Sequence, residues 1–233
     1  MNKKIQILFA AASLSTPLFI QSVSAQTIFT FNFQSKNDTV ATESTSGSFG
    51  TLLDSNVQDV TISLGAGLGG VAYNNAFGAS PKGTPQTTLA DAISNDVYHT
   101  FTVTPVSGQQ ITYGALDFNF TIQNGGAMQV FSSFDSFGTA LYTNNAIGGG
   151  GAGTSDSIDL TGFGTQSGAI EFRFYSSSAG NYDQRGIGAA FTAGAVGDDL
   201  VLSGTTSAVP EPSTYAALAG LLALGVVFIR RRH

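Results

Sequence analysis

An antiparallel β-sandwich of jelly-roll type, flanked by an N-terminal signal-peptide helix and a C-terminal transmembrane helix, is the fold class that this sequence predicts. Three observations lead there. Apolar and polar residues alternate over short stretches separated by turn-forming segments. Eighteen phenylalanines, many at alternating positions, supply the volume that fills the space between two facing sheets. Away from the chain ends there is almost no helical periodicity.

The clearest strand is LDFNFTI, where Leu116, Phe118, Phe120 and Ile122 fall on one face and Asp117, Asn119 and Thr121 on the other. In AIEFRFYS, Ile170, Phe172 and Phe174 alternate with Glu171, Arg173 and Tyr175. Weaker alternation marks strands within 27–34, 57–64, 97–104, 127–134, 156–160, 186–193 and 198–204. The exception is TTLADAISNDV (87–97), where Leu89, Ala92, Ile93 and Val97 have the spacing of one short helix across an end of the sandwich. Nine or so strands over one exported domain give the sandwich reading.

The first 25 residues carry Lys3 and Lys4, then an apolar run from Ile5 to Ile20 softened by Ser13, Ser15, Thr16 and Pro17, then Val23-Ser24-Ala25. That order is a secretory signal peptide, with cleavage expected between Ala25 and Gln26 by a signal peptidase after passage through the export machinery. Residues 26–208 form the ectodomain and residues 209–233 a C-terminal segment. With zero cysteines the ectodomain has neither disulfides nor thiol chemistry, so packing and backbone pairing must stabilise it. Its basic residues are Lys36, Lys82, Arg173 and Arg185, against fourteen acidic ones, a net charge of −10. That sign disfavours nucleic acid and an anionic membrane surface as partners. Abundant Ser, Thr, Asn and Gly give a neutral hydrogen-bonding surface instead.

The chain closes with VPEPSTYAALAGLLALGVVFIRRRH. Thr214 to Ile229 is uncharged, about 24 Å long as a helix and close to the thickness of a bilayer core. Arg230, Arg231 and Arg232 come next as a cytoplasmic stop. Pro210 and Pro212 keep the preceding segment extended, with Glu211 a lone charge between them. Val209-Pro210-Glu211-Pro212, then a short apolar span, then three arginines resembles the PEP-CTERM sorting signal. The resemblance implies recognition by an exosortase, a membrane-embedded cysteine protease of Gram-negative bacteria that make exopolysaccharide. It also implies cleavage at or close to the triplet, an inner-membrane intermediate, and delivery to the cell surface or extracellular matrix. Residues 169–205 further resemble the closing strands of lectin-like sandwich ectodomains found before such signals. Many of those carry Arg-apolar-Asp-Asn here, whereas Arg185 is followed by Gly-Ile-Gly, so no ligand role passes to the missing aspartate.

Other motifs carry less chemistry. GAGLGG (65–70) satisfies G-x-G-x-x-G, but the adjoining VAYNNAFGAS does not read as the helix a dinucleotide site needs, so it is a glycine-rich turn. GGGGAG (148–153) lacks the lysine of a phosphate loop. His99, the ectodomain's one histidine, reads as a strand residue, with a catalytic base as the alternative. Asp183, Asp198, Asp199, Asp156 and Asp159 have the chemistry of calcium ligands, yet solvated turn carboxylates are the default. No catalytic, cofactor-binding or metal residue is assigned and no cofactor is expected. The resulting expectation is a non-enzymatic, exosortase-processed surface or matrix protein associated with exopolysaccharide or biofilm. A carbohydrate-binding lectin-like module is the alternative, and a polysaccharide-degrading enzyme ranks behind both.

Overall fold

The structure, a computed structural model, describes residues 25–73, 75–83, 86–149, 153–178, 180, 183–188, 197–210 and, in the C-terminal tail, 219, 220, 223, 224 and 227. Residues 1–24 of the expected signal peptide, together with Glu211, Pro212 and Arg230 to Arg232, lie outside the described residues. In chain order the elements begin β1 (Gln26–Phe31), β2 (Thr42–Ser44), β3 (Gly50–Leu52), β4 (Thr61–Leu64), β5 (Leu68–Gly70), β6 (Phe77–Pro81), α1 (Leu89–Ser94) and β7 (Tyr98–Val103). They continue with β8 (Gln109–Ile122), β9 (Gly126–Ser132), β10 (Tyr142–Ile147), β11 (Thr154–Asp159), β12 (Thr165–Gln166), β13 (Ile170–Ser178), β14 (Arg185–Ile187) and β15 (Leu200–Ala208).

Two antiparallel sheets face each other. The first runs β3-β1-β15-β8-β14-β6-β5, with β11 and β12 also paired to β8; the second runs β10-β9-β13-β7-β4-β2. All nine expected strands overlap observed ones, the 186–193 segment only at Gly186 and Ile187, with 189–193 outside the described residues. The six others, β2, β3, β5, β6, β10 and β12, are short or polar and left no alternation to read. β8 organises the first sheet. Its residues pair with β15 and then β14 along one edge, and with β12 and then β11 along the other.

The core is aromatic, as the alternation predicts. Leu116, Phe118, Phe120 and Ile122 of β8 and Ile170, Phe172 and Phe174 of β13 are all buried. Rings meet across the interface: Phe118 lies edge-on to Phe174 at 5.3 Å, and Phe120 packs parallel to Phe174 at 6.4 Å. Within the second sheet Phe101 stacks on Phe172 at 5.1 Å. β1 departs from strict alternation, because Ile28 and Phe29 are both buried. The reason is a bulge, since its register against β15 shifts between Thr27 and Phe29. The register of β15 against β8 shifts at the same level, between Leu202 and Gly204. Only glycine fits there, as a Cβ at Gly204 would lie 2.6 Å from the Thr112 carbonyl oxygen.

The expected helix is present but short. Thr88 caps it, its hydroxyl accepting the Asp91 N–H at 3.1 Å. Ala92 and Val97 pack on Leu68 and Ala79, whereas Ile93, expected on the same apolar face, is exposed. The two-layer packing makes a direct contrast. Phe172→Ala is expected to cost about 3–5 kcal/mol, the range for a large aromatic lost from a core. Thr102→Ala, on the exposed face of the neighbouring strand, is expected to cost under about 1 kcal/mol. Urea melts of the two variants measure this, and equal losses would contradict the two-layer packing.

Candidate functional sites at the two ends of the sandwich

One end of the sandwich is where the chain leaves for its C-terminal segment. β15 pairs with β8 as far as Ala208 opposite Gln109, and the Val209 N–H donates to the Gly108 carbonyl at 2.8 Å. Pro210 comes next and has no N–H to continue a ladder. The predicted motif therefore begins where strand pairing stops, with no spacer between. Gln26 opens β1 opposite Gly204, and it and Ala25 are both exposed, so the peptide bond expected to be cut by signal peptidase lies at the surface, near the same end. In the tail the five described positions, Ala219, Gly220, Ala223, Leu224 and Val227, are helical, and among the described residues no helix is long and apolar enough to cross a membrane.

The opposite end concentrates buried polar groups. Arg185 of β14 is fully buried; its Nη1 donates to the Ser176 carbonyl of β13, so it reaches from one sheet to the other. Nη2 has no hydrogen-bond partner among the described residues. Burial pushes the guanidinium down to about 10, with Asp183 opposing the shift, so it stays charged at neutral pH. The Asp183 carboxylate accepts from Asn124 Nδ2 at 2.6 Å, from the Gly180 N–H at 3.0 Å and from the Ser178 hydroxyl. His99 is fully buried, with its ring edge-on to Phe77 and Phe120 at 5.8 and 5.7 Å. It is a core residue, as its place in the strand suggested. Burial, with Arg185 adding repulsion, pushes it down to about 3, so it is neutral at physiological pH; the Phe77 main chain opposes the shift only weakly.

The five candidate calcium ligands go to separate partners. Two of them correct the expectation of solvated turn carboxylates, because Asp183 and Asp199 are buried. Asp199 Oδ2 accepts the Phe33 N–H at 2.7 Å and its Oδ1 accepts from Asn119 Nδ2 at 3.2 Å, so it ties the segment just after β1 to β8 immediately before β15. Asp156 accepts from the Tyr142 hydroxyl at 2.6 Å, Asp159 from the Thr161 N–H at 2.9 Å, and Asp198 is exposed. Among the described residues no group of three or more His, Asp or Glu side chains is placed to hold a metal ion. The glycine-rich 65–70 segment turns directly into β5, and a Cβ at Gly67 would lie 2.0 Å from the Asn95 carbonyl. Its glycines serve backbone approach, and the helix a pyrophosphate requires is not there.

Beside the buried network lies an open cleft of about 380 Å³. Asn124, Asn145, Thr87, Ser177 and Ser178 line it with amides and hydroxyls, and Gly125, Gly126 and Gly149 bring main chain to its wall. Among the described residues its lining holds no charged side chain. Asp183 orients it from behind through Asn124 and Ser178. On the outer face of the second sheet, the Arg173 guanidinium sits 4.8 Å from the Tyr98 ring centre and 4.0 Å from that of Phe137, with Glu171 at 2.6 Å. Phe137 reaches it from a left-handed backbone, φ 61°. These groupings join residues far apart in sequence, and nothing local announces them.

Residues 208–232 match the PEP-CTERM protein-sorting motif. The chain therefore carries the motif over its last residues, beginning at the final residue of β15, and the motif implies export and sorting to the cell surface of a Gram-negative bacterium by an exosortase. No curated protein and no solved structure matches the chain.

The buried histidine makes stability depend on pH. Unfolded, His99 takes up a proton as pH falls through about 6.5; folded, it does so only near 3. Its contribution is complete above pH 6.5 and is lost as pH falls, at up to about 1.4 kcal/mol per unit. Asp38, Asp59 and Asp159 have values lowered from 3.8, so their losses come mainly as pH falls below about 4, under the range from pH 6.5 to 4.5. Stability from urea melts is expected to fall by up to about 2–3 kcal/mol between pH 6.5 and 4.5. In His99→Phe that slope is expected to flatten; an unchanged slope would show that other groups carry it.

Proposed function

We propose that the protein is an exported, non-enzymatic component of the cell surface or extracellular matrix, associated with exopolysaccharide or biofilm. Signal peptidase removes residues 1–25, the Thr214–Ile229 span holds an inner-membrane intermediate, and exosortase cuts at or near Pro210-Glu211-Pro212. The observation that carries this reading is the junction itself. The sorting motif starts on the last paired residue of the sandwich, so a cut near the triplet releases the whole folded domain and leaves almost no tail. The jelly-roll reading of the fold rests on the way successive chain passes from β8 to β15 move between the facing sheets. Intact-mass measurement of surface material from the native host is expected to lack Arg230, Arg231 and Arg232. Glu211→Ala is expected to leave the full-length chain in the membrane; normal processing of that variant would refute the sorting reading.

The cleft beside Asp183 favours a second reading, a carbohydrate-binding role for the same exported domain. Neutral amides and hydroxyls held in place from behind by a buried carboxylate suit the hydroxyl groups of an uncharged glycan. On this reading the processed protein binds oligosaccharides on an array, and Asn145→Ala weakens that binding by about tenfold. Absence of any bound glycan, or equal binding by the variant, would remove it.

A further inference from the structure

Side chains from two distant parts of the chain converge near Thr206 in the last residues of β15. Asp54, which is 5% exposed, accepts at Oδ2 from the Thr206 hydroxyl at 2.8 Å and from Gln26 Nε2 at 3.1 Å. Its Oδ1 accepts the Asn56 N–H at 2.9 Å, and Asn56 Nδ2 donates to the Thr206 hydroxyl oxygen at 2.9 Å. The Thr206 hydroxyl thus both donates and accepts, and Asp54 joins the first residue of β1 to the last turn of the ladder.

The pairing pattern gives this cluster a purpose. From Leu200 to Gly204, β15 lies between β1 and β8 and is held on both edges. Among the described residues Thr205 to Ala208 pair with β8 alone, opposite Thr112 to Gln109, because β1 begins at Gln26 opposite Gly204. These four residues are a strand end supported on one edge, the arrangement most prone to fraying when a chain terminates there. Asp54 and Asn56 hold this segment through the Thr206 side-chain hydroxyl.

We propose that the Asp54–Asn56–Gln26 cluster is a latch on Thr206 that seals the C-terminal end of the sandwich once the sorting signal has been removed. It holds Thr205 to Ala208 in the ladder when no chain extends beyond them, and so protects the new C-terminus from fraying and from trimming by exopeptidases. The source of that new end rests on the exosortase reading above; the latch itself is present in the intact chain.

Hydrogen exchange on the full-length chain tests the latch without any processing. In Thr206→Val, which keeps the shape and removes the hydroxyl, the amides from Thr206 to Val209 are expected to exchange about tenfold faster, while those of Leu200 to Leu202 are unchanged. Thr206→Ser, which restores the hydroxyl, is expected to return to the wild-type rate. Unaltered exchange in Thr206→Val, or acceleration spread equally over Leu200 to Leu202, would overturn the proposal. A second arm uses processed surface material. Carboxypeptidase Y is expected to stop near Ala208 in the wild type and to pass Thr206 in Thr206→Val, and identical trimming of the two would also overturn the latch. Wild-type material that retains its arginines would instead overturn the sorting reading, with the exchange arm still deciding the latch.

Discussion

The first sheet depends on one pairing, that of the fourteen-residue strand β8 with β15, the last strand of the domain. β15 fills the slot between β1 and β8, so the sheet has a gap along its middle until Leu200 to Ala208 are in place. A central strand supplied last is a contact of high sequence separation, and its closure entropy must be met before it contributes. The domain therefore completes its fold only when the residues beside the sorting motif are available. The last-made part of the domain and the address attached to it become available together.

The second dependence is aromatic. With no disulfide, the two layers are joined by phenylalanines facing each other from β8, β13, β7 and β1. Edge-on and parallel ring pairs set the spacing between sheets as well as burying area. β1 contributes through its bulge, which turns two consecutive residues inward and thickens the core near the chain ends. Lys36 shows how far the packing reaches. Its ammonium lies between Asp38 at 2.6 Å and Glu43 at 2.5 Å and over the Phe49 and Phe77 rings at 5.0 and 5.7 Å, so a buried cation is compensated on every side.

How much of this was legible in the sequence depends on the range of the forces involved. Period-2 alternation is a local consequence of one dry face, so the inward turn of the phenylalanines in β8 and β13 could be read directly. Thr121 and Tyr175, expected on the opposite faces, are buried as well, Tyr175 against Tyr98 and Phe131, which no local period shows. The C-terminal address was equally legible, because its three parts are contiguous. β2, β3 and β5 have three residues each, too few for a period to show. Asp183 and Asp199 look like any turn aspartate in sequence. Their burial arises from partners brought by other strands, Asn124 for one and Phe33 with Asn119 for the other. Thr206 and Asp54 are 152 residues apart, and no spacing rule connects them.

The two ends of the sandwich divide the cost of burying polar groups in opposite ways. At the far end Arg185 is a buried cation without a direct ion pair among the described residues, held by main-chain carbonyls and facing a neutral His99. Such an arrangement is weak as a source of stability, since desolvating a guanidinium costs several kcal/mol. What it supplies is position: Arg185 can reach the Ser176 carbonyl only when β14, a strand of three residues, is set at one height against β13. Slipping β14 by one residue would turn the guanidinium to the other face and leave Ser176 and Asp183 without it. At the exit end the buried carboxylate of Asp54 is fully used by neutral donors, and there the polar cluster closes a strand end instead of fixing a register. Short strands at one end and the exit of the chain at the other are two places where alternating phenylalanines cannot specify the fold, and at both the sandwich buries polar side chains.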